Sequence, residues 1–116
     1  MKLWNEFLVK TLGPILPVFA ENTNEPVEVP CITYRLSSDA VTIEGDDLRY
    51  SRPVYQIKLY CKDLEEAEGY LQQIDTTLYL NRFVRESFNQ LNINNLYQFI
   101  MNYSVRTRER LNNYGE

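Results

Sequence analysis

The chain contains no histidine at all, so the imidazole that serves as general base in Ser-His-Asp and Cys-His arrangements is missing, as are the usual histidine-built zinc and iron sites. Cysteine is scarce. Cys31 and Cys61 cannot form the multi-bridge framework of a small secreted domain, and their spacing matches no zinc pattern, so both are expected as buried free thiols, with a single disulfide between neighbouring strands as the alternative. The four glycines, Gly13, Gly45, Gly69 and Gly115, are scattered, and none belongs to a Gly-rich loop that could cradle a phosphate. Apolar runs stay far below the roughly 20 residues that a bilayer-crossing helix needs. The opening Met1-Lys2-Leu3-Trp4 is interrupted by Asn5, Glu6 and Lys10 before it can become a signal-peptide core, which gives the expectation of a soluble, cytosolic start.

Positive charge is also thin. With 12 basic and 16 acidic side chains the net charge is −4, and no window gathers the Lys and Arg that would neutralise a run of phosphates. Nucleic-acid affinity is therefore disfavoured. The charge is uneven: residues 1–76 carry −6 and residues 77–116 carry +2. Two surfaces of opposite sign could orient copies toward one another, although a solvated surface with a chance bias is the commoner outcome. At 116 residues, 44% hydrophobic and 24% charged, one globular core is expected.

What is present is patterning. Leu3, Trp4, Phe7, Leu8 and Leu12 recur at helical spacing, so the sequence predicts a helix over 2–12, stopped by Gly13-Pro14. Residues 15–20 form a short apolar run with Pro17 inside it, which suits an edge strand. The acidic stretch 21–28 predicts an exposed loop. From Cys31 the alternation of Ile32, Tyr34 and Leu36 against Thr33 and Arg35 predicts a half-buried strand over 31–43. An acidic turn at 44–47 then leads into a long return strand, 48–61, with Tyr55, Ile57, Leu59 and Cys61 on one face and a kink or bulge expected at Pro53. Asp63 and Glu66 resemble a capping box opening a helix over 63–79, in which Leu64, Ala67, Leu71, Ile74 and Leu78 form the apolar stripe. Period-two segments predict strands over about 82–91 and 96–106, and residues 107–116 read as a polar, mobile tail.

Helix, strand, long hairpin, helix and hairpin in that order predict an α+β domain with a mostly antiparallel sheet and its helices packed on one face. The acidic clusters 44–47 and 65–68 are the only places for carboxylate acid–base chemistry, and a turn and a helix N-terminus explain them better. The expectation is a protein without enzymatic activity, metal or cofactor. Nine tyrosines are unusual, and Tyr50, Tyr60 and Tyr79 fall off the apolar faces, where they would either serve an interface or correct the strand phases.

The segment Pro-Cys-Ile-Thr-Tyr-Arg-Leu at 30–36, the acidic turn, and Tyr-Gln-Ile-Lys-Leu-Tyr-Cys-Lys at 55–62 running into a capped amphipathic helix resemble the tail terminator proteins of long-tailed bacteriophages, also called tail completion or head-tail joining proteins. The resemblance covers nearly the whole chain in element order and is most specific over 54–78. Where that family often carries a Gly-rich acidic turn before its final strand, this chain has Asn92-Ile93-Asn94-Asn95.

The resemblance implies a virion structural protein located at the head-proximal end of the tail and assembled in the host cytoplasm. It implies a ring, usually of six copies, that caps the tail tube, stops its polymerisation and meets the head connector while DNA passes through the lumen. Within that reading the candidate subunit-interface residues are Leu48, Tyr50 and Arg52 on the long hairpin strand and Arg106, Arg108 and Arg110 near the C-terminus, the arginines facing an acidic neighbour. Lumen-facing carboxylates would keep phosphate from sticking. The competing readings are another connector component, such as a head-closure or stopper subunit, and a small ligand-binding module with a pocket between the second helix and the sheet.

Overall fold

A computed structural model describes residues 4–21, 28–44 and 48–110, with the side chains of 41–49 and 108–110 outside that description. The chain runs α1 (Asn5–Leu12), β1 (Val18–Ala20), β2 (Cys31–Glu44), β3 (Leu48–Cys61), α2 (Leu64–Leu80), β4 (Val84–Ile93), β5 (Leu96–Ser104) and β6 (Thr107–Arg110). The six strands make one sheet in the order β1-β2-β3-β5-β4, with β6 on β3 beside the end of β5. Among the described strands only the β1–β2 pairing is parallel. The molecule is therefore an α+β protein with a mostly antiparallel sheet.

Both helices lie on one face of that sheet. Leu8 and Leu12 of α1 and Ala67, Ile74 and Leu78 of α2 share a core with Ile32, Tyr55, Ile57, Leu59, Cys61, Phe99, Met101 and Tyr103. Period two in the strands and period 3.6 in the helices make these positions coincide, as the alternation of the sequence requires. Trp4, Phe7 and Phe83 meet with ring centroids 5.3–6.0 Å apart and clamp α1 to the end of α2. Two buried phenols tie layers together: Tyr55 accepts from the Trp4 amide at 2.8 Å, and Tyr103 donates to Asp75 of α2 at 3.0 Å.

Several elements differ in extent from the sequence expectation, each for a local reason. In α1 the described helix begins at Asn5, and Gly13 lets the chain close on it, since a Cβ there would meet the Val9 carbonyl oxygen at 2.7 Å. The strand expected over 15–20 is reduced to Val18–Ala20 because Ile15 and Leu16 still bond back to the Leu12 carbonyl. The α2 N-terminus is capped by Asp63, whose carboxylate accepts from the Glu65 amide at 2.9 Å.

At the other end of α2, Arg82 takes φ 69°. Its amide reaches Tyr79 while the Phe83 amide reaches Leu78, a Schellman closure that uses up the first residues of the strand expected over 82–91. That strand starts at Val84 and continues to Ile93. Its tight turn is Asn94-Asn95, both at positive φ, as a two-residue hairpin turn requires.

Two corrections matter more. The bulge expected at Pro53 sits instead on the facing strand, where Leu36 opposes Tyr55 and Ser38 opposes Val54, leaving Ser37 as the extra residue. It shifts the phase of β2, which accounts for apolar positions at 32, 34 and 36 being followed by 41 and 43. The expected tail 107–116 is, over Thr107–Arg110, a strand paired antiparallel with Leu48 to Ser51; residues 111–116 lie outside the described residues.

Candidate subunit interface

The candidate residues on β3 belong to a region with its own construction. β3 pairs with β2 along almost its whole length, but its other edge is shared: 54–61 pair with β5 and 48–51 pair with β6. Pro53 lies between the two, at the one place where a missing amide costs no ladder bond, and its carbonyl accepts from the Val105 amide at 3.2 Å. Among the described side chains of β3 the hydrophobic core cluster ends at Tyr55, with Pro53 and Ser51 still buried beyond it. Beyond it, β2, β3 and β6 form a three-stranded arm. A 14-residue strand spans about 45 Å, so β2 and β3 set the long axis of a 52 × 25 × 23 Å molecule.

Leu48 and Tyr50 are brought next to Arg110 and Arg108 by the β3–β6 register, so these four candidates fall in one ladder within a single copy. Tyr50 is half-buried. The Ser51 and Thr107 hydroxyls bond each other beside it, with Ser51 almost completely buried. Arg52 is engaged inside the chain: its guanidinium lies 2.8 Å from Glu86, which also accepts from the Ser104 hydroxyl at 3.0 Å. Glu86 is itself the bulged residue of β4, between Arg85 and Ser87. Arg106 is exposed at the β5–β6 junction. The C-terminal arginine segment is thus seated on its own β3 by backbone pairing over 107–110, which corrects the expectation of a free basic tail.

On the sheet face away from the helices, partly covered Glu21 pairs with partly covered Lys58 and lies 3.7 Å from the exposed Arg35, near the start of β2. Cys31, Thr33 and Tyr60 are buried on this face. Tyr60, off the apolar stripe in sequence, is therefore covered by the chain itself, whereas Tyr79 is 74% exposed. Burial, with Glu28 adding to it, pushes the Cys31 thiol up to about 11. Cys31 stands opposite Tyr60, so Cys61 points to the other face and the two thiols are free.

Between α2 and the sheet an open cavity of about 330 Å³ is lined by Leu64, Ala67, Leu71, Phe88 and Phe99, with Glu68 and Gln90 as its only polar side chains. Among the described residues no group of three Cys, Asp or Glu side chains could hold a metal ion, and no helix is long and apolar enough to cross a membrane.

The region that sequence reasoning missed is β4. It is the outermost strand, paired only with β5 among the described residues, and it is exposed along nearly its whole length. Val84 at 60%, Ile93 at 48%, Leu91 at 43% and Phe88 at 42% present apolar surface on both sides of the strand. The signal that would have found it is a run without charge: residues 87–105 contain no Asp, Glu, Lys or Arg, in a chain that is 24% charged.

With this geometry in view the class is an α+β protein carrying a projecting three-stranded arm and an edge strand that is uncovered among the described residues and free of charge over residues 87–93. No protein-family model matches the chain, and no curated protein matches it either.

Proposed function

We propose that the chain is a structural subunit of a phage tail: a ring-forming terminator that caps the tail tube, halts its polymerisation and joins it to the head connector, with no catalytic, metal or cofactor role. The observation that carries this reading is the arm. A subunit of a closed ring needs one patch that reaches out and a different patch that receives it. Here β2, β3 and β6 extend past the hydrophobic core on one side, while β4 lies uncovered on the other. DNA would cross the lumen of such a ring without specific binding, in keeping with the net charge of −4. In this reading the protein resides in the virion and is assembled in the host cytoplasm.

The experiment is to measure the mass of the purified protein by light scattering, image the large species by negative stain, and add the protein to tails assembled without it. Rings, together with tails restored to fixed length and head-joining competence, support the proposal. A monomer that leaves tail length unregulated overturns it.

The cavity beside α2 favours a second reading, a small apolar-ligand module. Its volume falls near the lower end of ligand pockets, but it lacks the buried, convergent polar groups that orient a ligand. Saturable binding of anilinonaphthalene sulfonate, abolished by Leu71→Trp, would support that reading.

A further inference from the structure

Resting on the ring reading, we propose that adjacent copies join their sheets directly, the free edge of β4 in one copy pairing antiparallel with the outer half of β2 in the next. An exposed strand edge offers a row of unpaired N–H and C=O groups, and monomeric proteins blunt such edges with charges, proline or brevity. β4 uses none of these over residues 87–93, and its ten residues keep apolar side chains in water. Burial against another strand would satisfy both the backbone and that apolar surface, as in recognition by strand addition.

Three other edges could be the occupant in a second copy. β1 is three residues long and already lies against the base of β2. β6 is four residues long, three of them charged, and pairing it with β4 over 87–93, where no charge is offered, would desolvate those groups uncompensated. The outer part of β2, residues 35–44, is different. β1 stops at Tyr34, so these ten residues have only β3 as a partner among the described strands, and residues 36–43 include a single charge, Asp39.

Direction agrees as well. β2 and β4 stand on opposite sides of β3 and β5, and the chain of antiparallel pairings makes them run in opposite senses. A neighbour in the same orientation, slid along the strand axis by about six residues (~20 Å) so that Asn89, level with Thr33 in its own sheet, comes opposite Ala40 past the end of β1, therefore offers β2 antiparallel to β4, with the helix-covered faces on the same side. A two-fold pairing of β4 with β4 would cover one edge per copy and leave the arm open. The head-to-tail arrangement covers both and generates the heterologous contact a ring requires.

The test is cross-linking of the full chain carrying Ala40→Cys and Asn89→Cys. Both positions are exposed and lie on the sheet face away from the helices, while Cys31 and Cys61 are buried. With a short bismaleimide, the double variant should give a ladder of covalent oligomers ending at the ring, and each single variant should stay uncross-linked. Separately, Leu91→Lys with Ile93→Lys should raise the ring's dissociation constant at least tenfold without changing the circular dichroism of the subunit. Rings that form but give no ladder would overturn the strand pairing and leave the ring reading standing. Covalent dimers from Asn89→Cys alone would replace the pairing with a two-fold β4 contact. A protein that stays monomeric and uncross-linked at the highest attainable concentration, and leaves the length of added tails unregulated, would remove both.

Discussion

The two halves of β2 and β3 are the same two strands in different physical settings. Near the helices, Tyr55, Ile57 and Leu59 are fully buried, and stability comes from apolar area removed from water. Past Pro53 none of the described side chains of β3 belongs to the core cluster, and the strands pair by ladder hydrogen bonds, with the Ser51 and Thr107 hydroxyls linking β3 to β6. The comparison teaches that the fold is anchored at one end only. The arm takes its direction from the base and is expected to add less to global stability than the base does, the distribution expected of a contact element.

The largest test of that contrast is in the base. Ile57→Ala should cost about 2–5 kcal/mol, a large share of the stability of a small domain, and urea unfolding should show it as a lower midpoint. Tyr50→Ala in the arm should shift the same midpoint by less than about 1 kcal/mol. A comparable loss from both would mean that arm and base unfold as a single block.

Alkaline pH separates the halves in a second way. Folded Cys31 keeps its proton up to about 11, while the unfolded thiol ionises near its ordinary value of 9.0. A raised folded-state value favours the native state in full below pH 9, and that contribution is lost as pH rises toward 11. Tyr103, raised by burial and by Asp75, extends the decline further up. Stability measured from pH 8 to 11 should fall, and Cys31→Ala should flatten the slope over the lower part of that window. An unchanged slope would place the titrating groups elsewhere.

Two smaller effects sharpen the comparison. Thr107→Val removes a hydroxyl bonded to Ser51 and should speed amide exchange in β6 and residues 48–51 by about fivefold to tenfold, the equivalent of roughly 1 kcal/mol, while β5 amides remain unchanged. Exchange accelerated throughout the sheet would show that β6 supports the base. Arg82→Gly relieves a left-handed residue at the end of α2 and should raise stability by up to about 1 kcal/mol, read from thermal unfolding, with nothing altered in the arm.

Helical and strand periodicity made the base legible in the sequence. The stripe Ala67, Ile74 and Leu78, and the alternation through Tyr55, Ile57 and Leu59, are visible because one face of each element is buried and the other is wet. β6 was not legible for the converse reason: a four-residue polar strand outside the core has no burial pattern to leave in the sequence. Proline marks irregularity and so points to a bulge at Pro53, but the irregularity lies across the ladder at Ser37, where the phase change from 36 to 41 reflects it.

The candidate interface was legible only in part. Leu48, Tyr50, Arg108 and Arg110 do converge, through pairing inside one copy, whereas the β4 edge leaves its mark as missing charge, and an absence is easily overlooked.

The continuity of β2 and β3 from core to tip has a mechanical meaning. A pull on the tip along the strand axis draws β2 and β3 together, so the load falls in shear on the β3–β5 and β1–β2 ladders, whose bonds lie across that axis and cannot be peeled one at a time. β6, attached over four residues and entered just past Pro53, bears load as a short clip that can yield while the two long strands hold. A tether built this way is stiff along its length and gives first at its side, so strain arriving at the tip is spent on the clip before it reaches the helices.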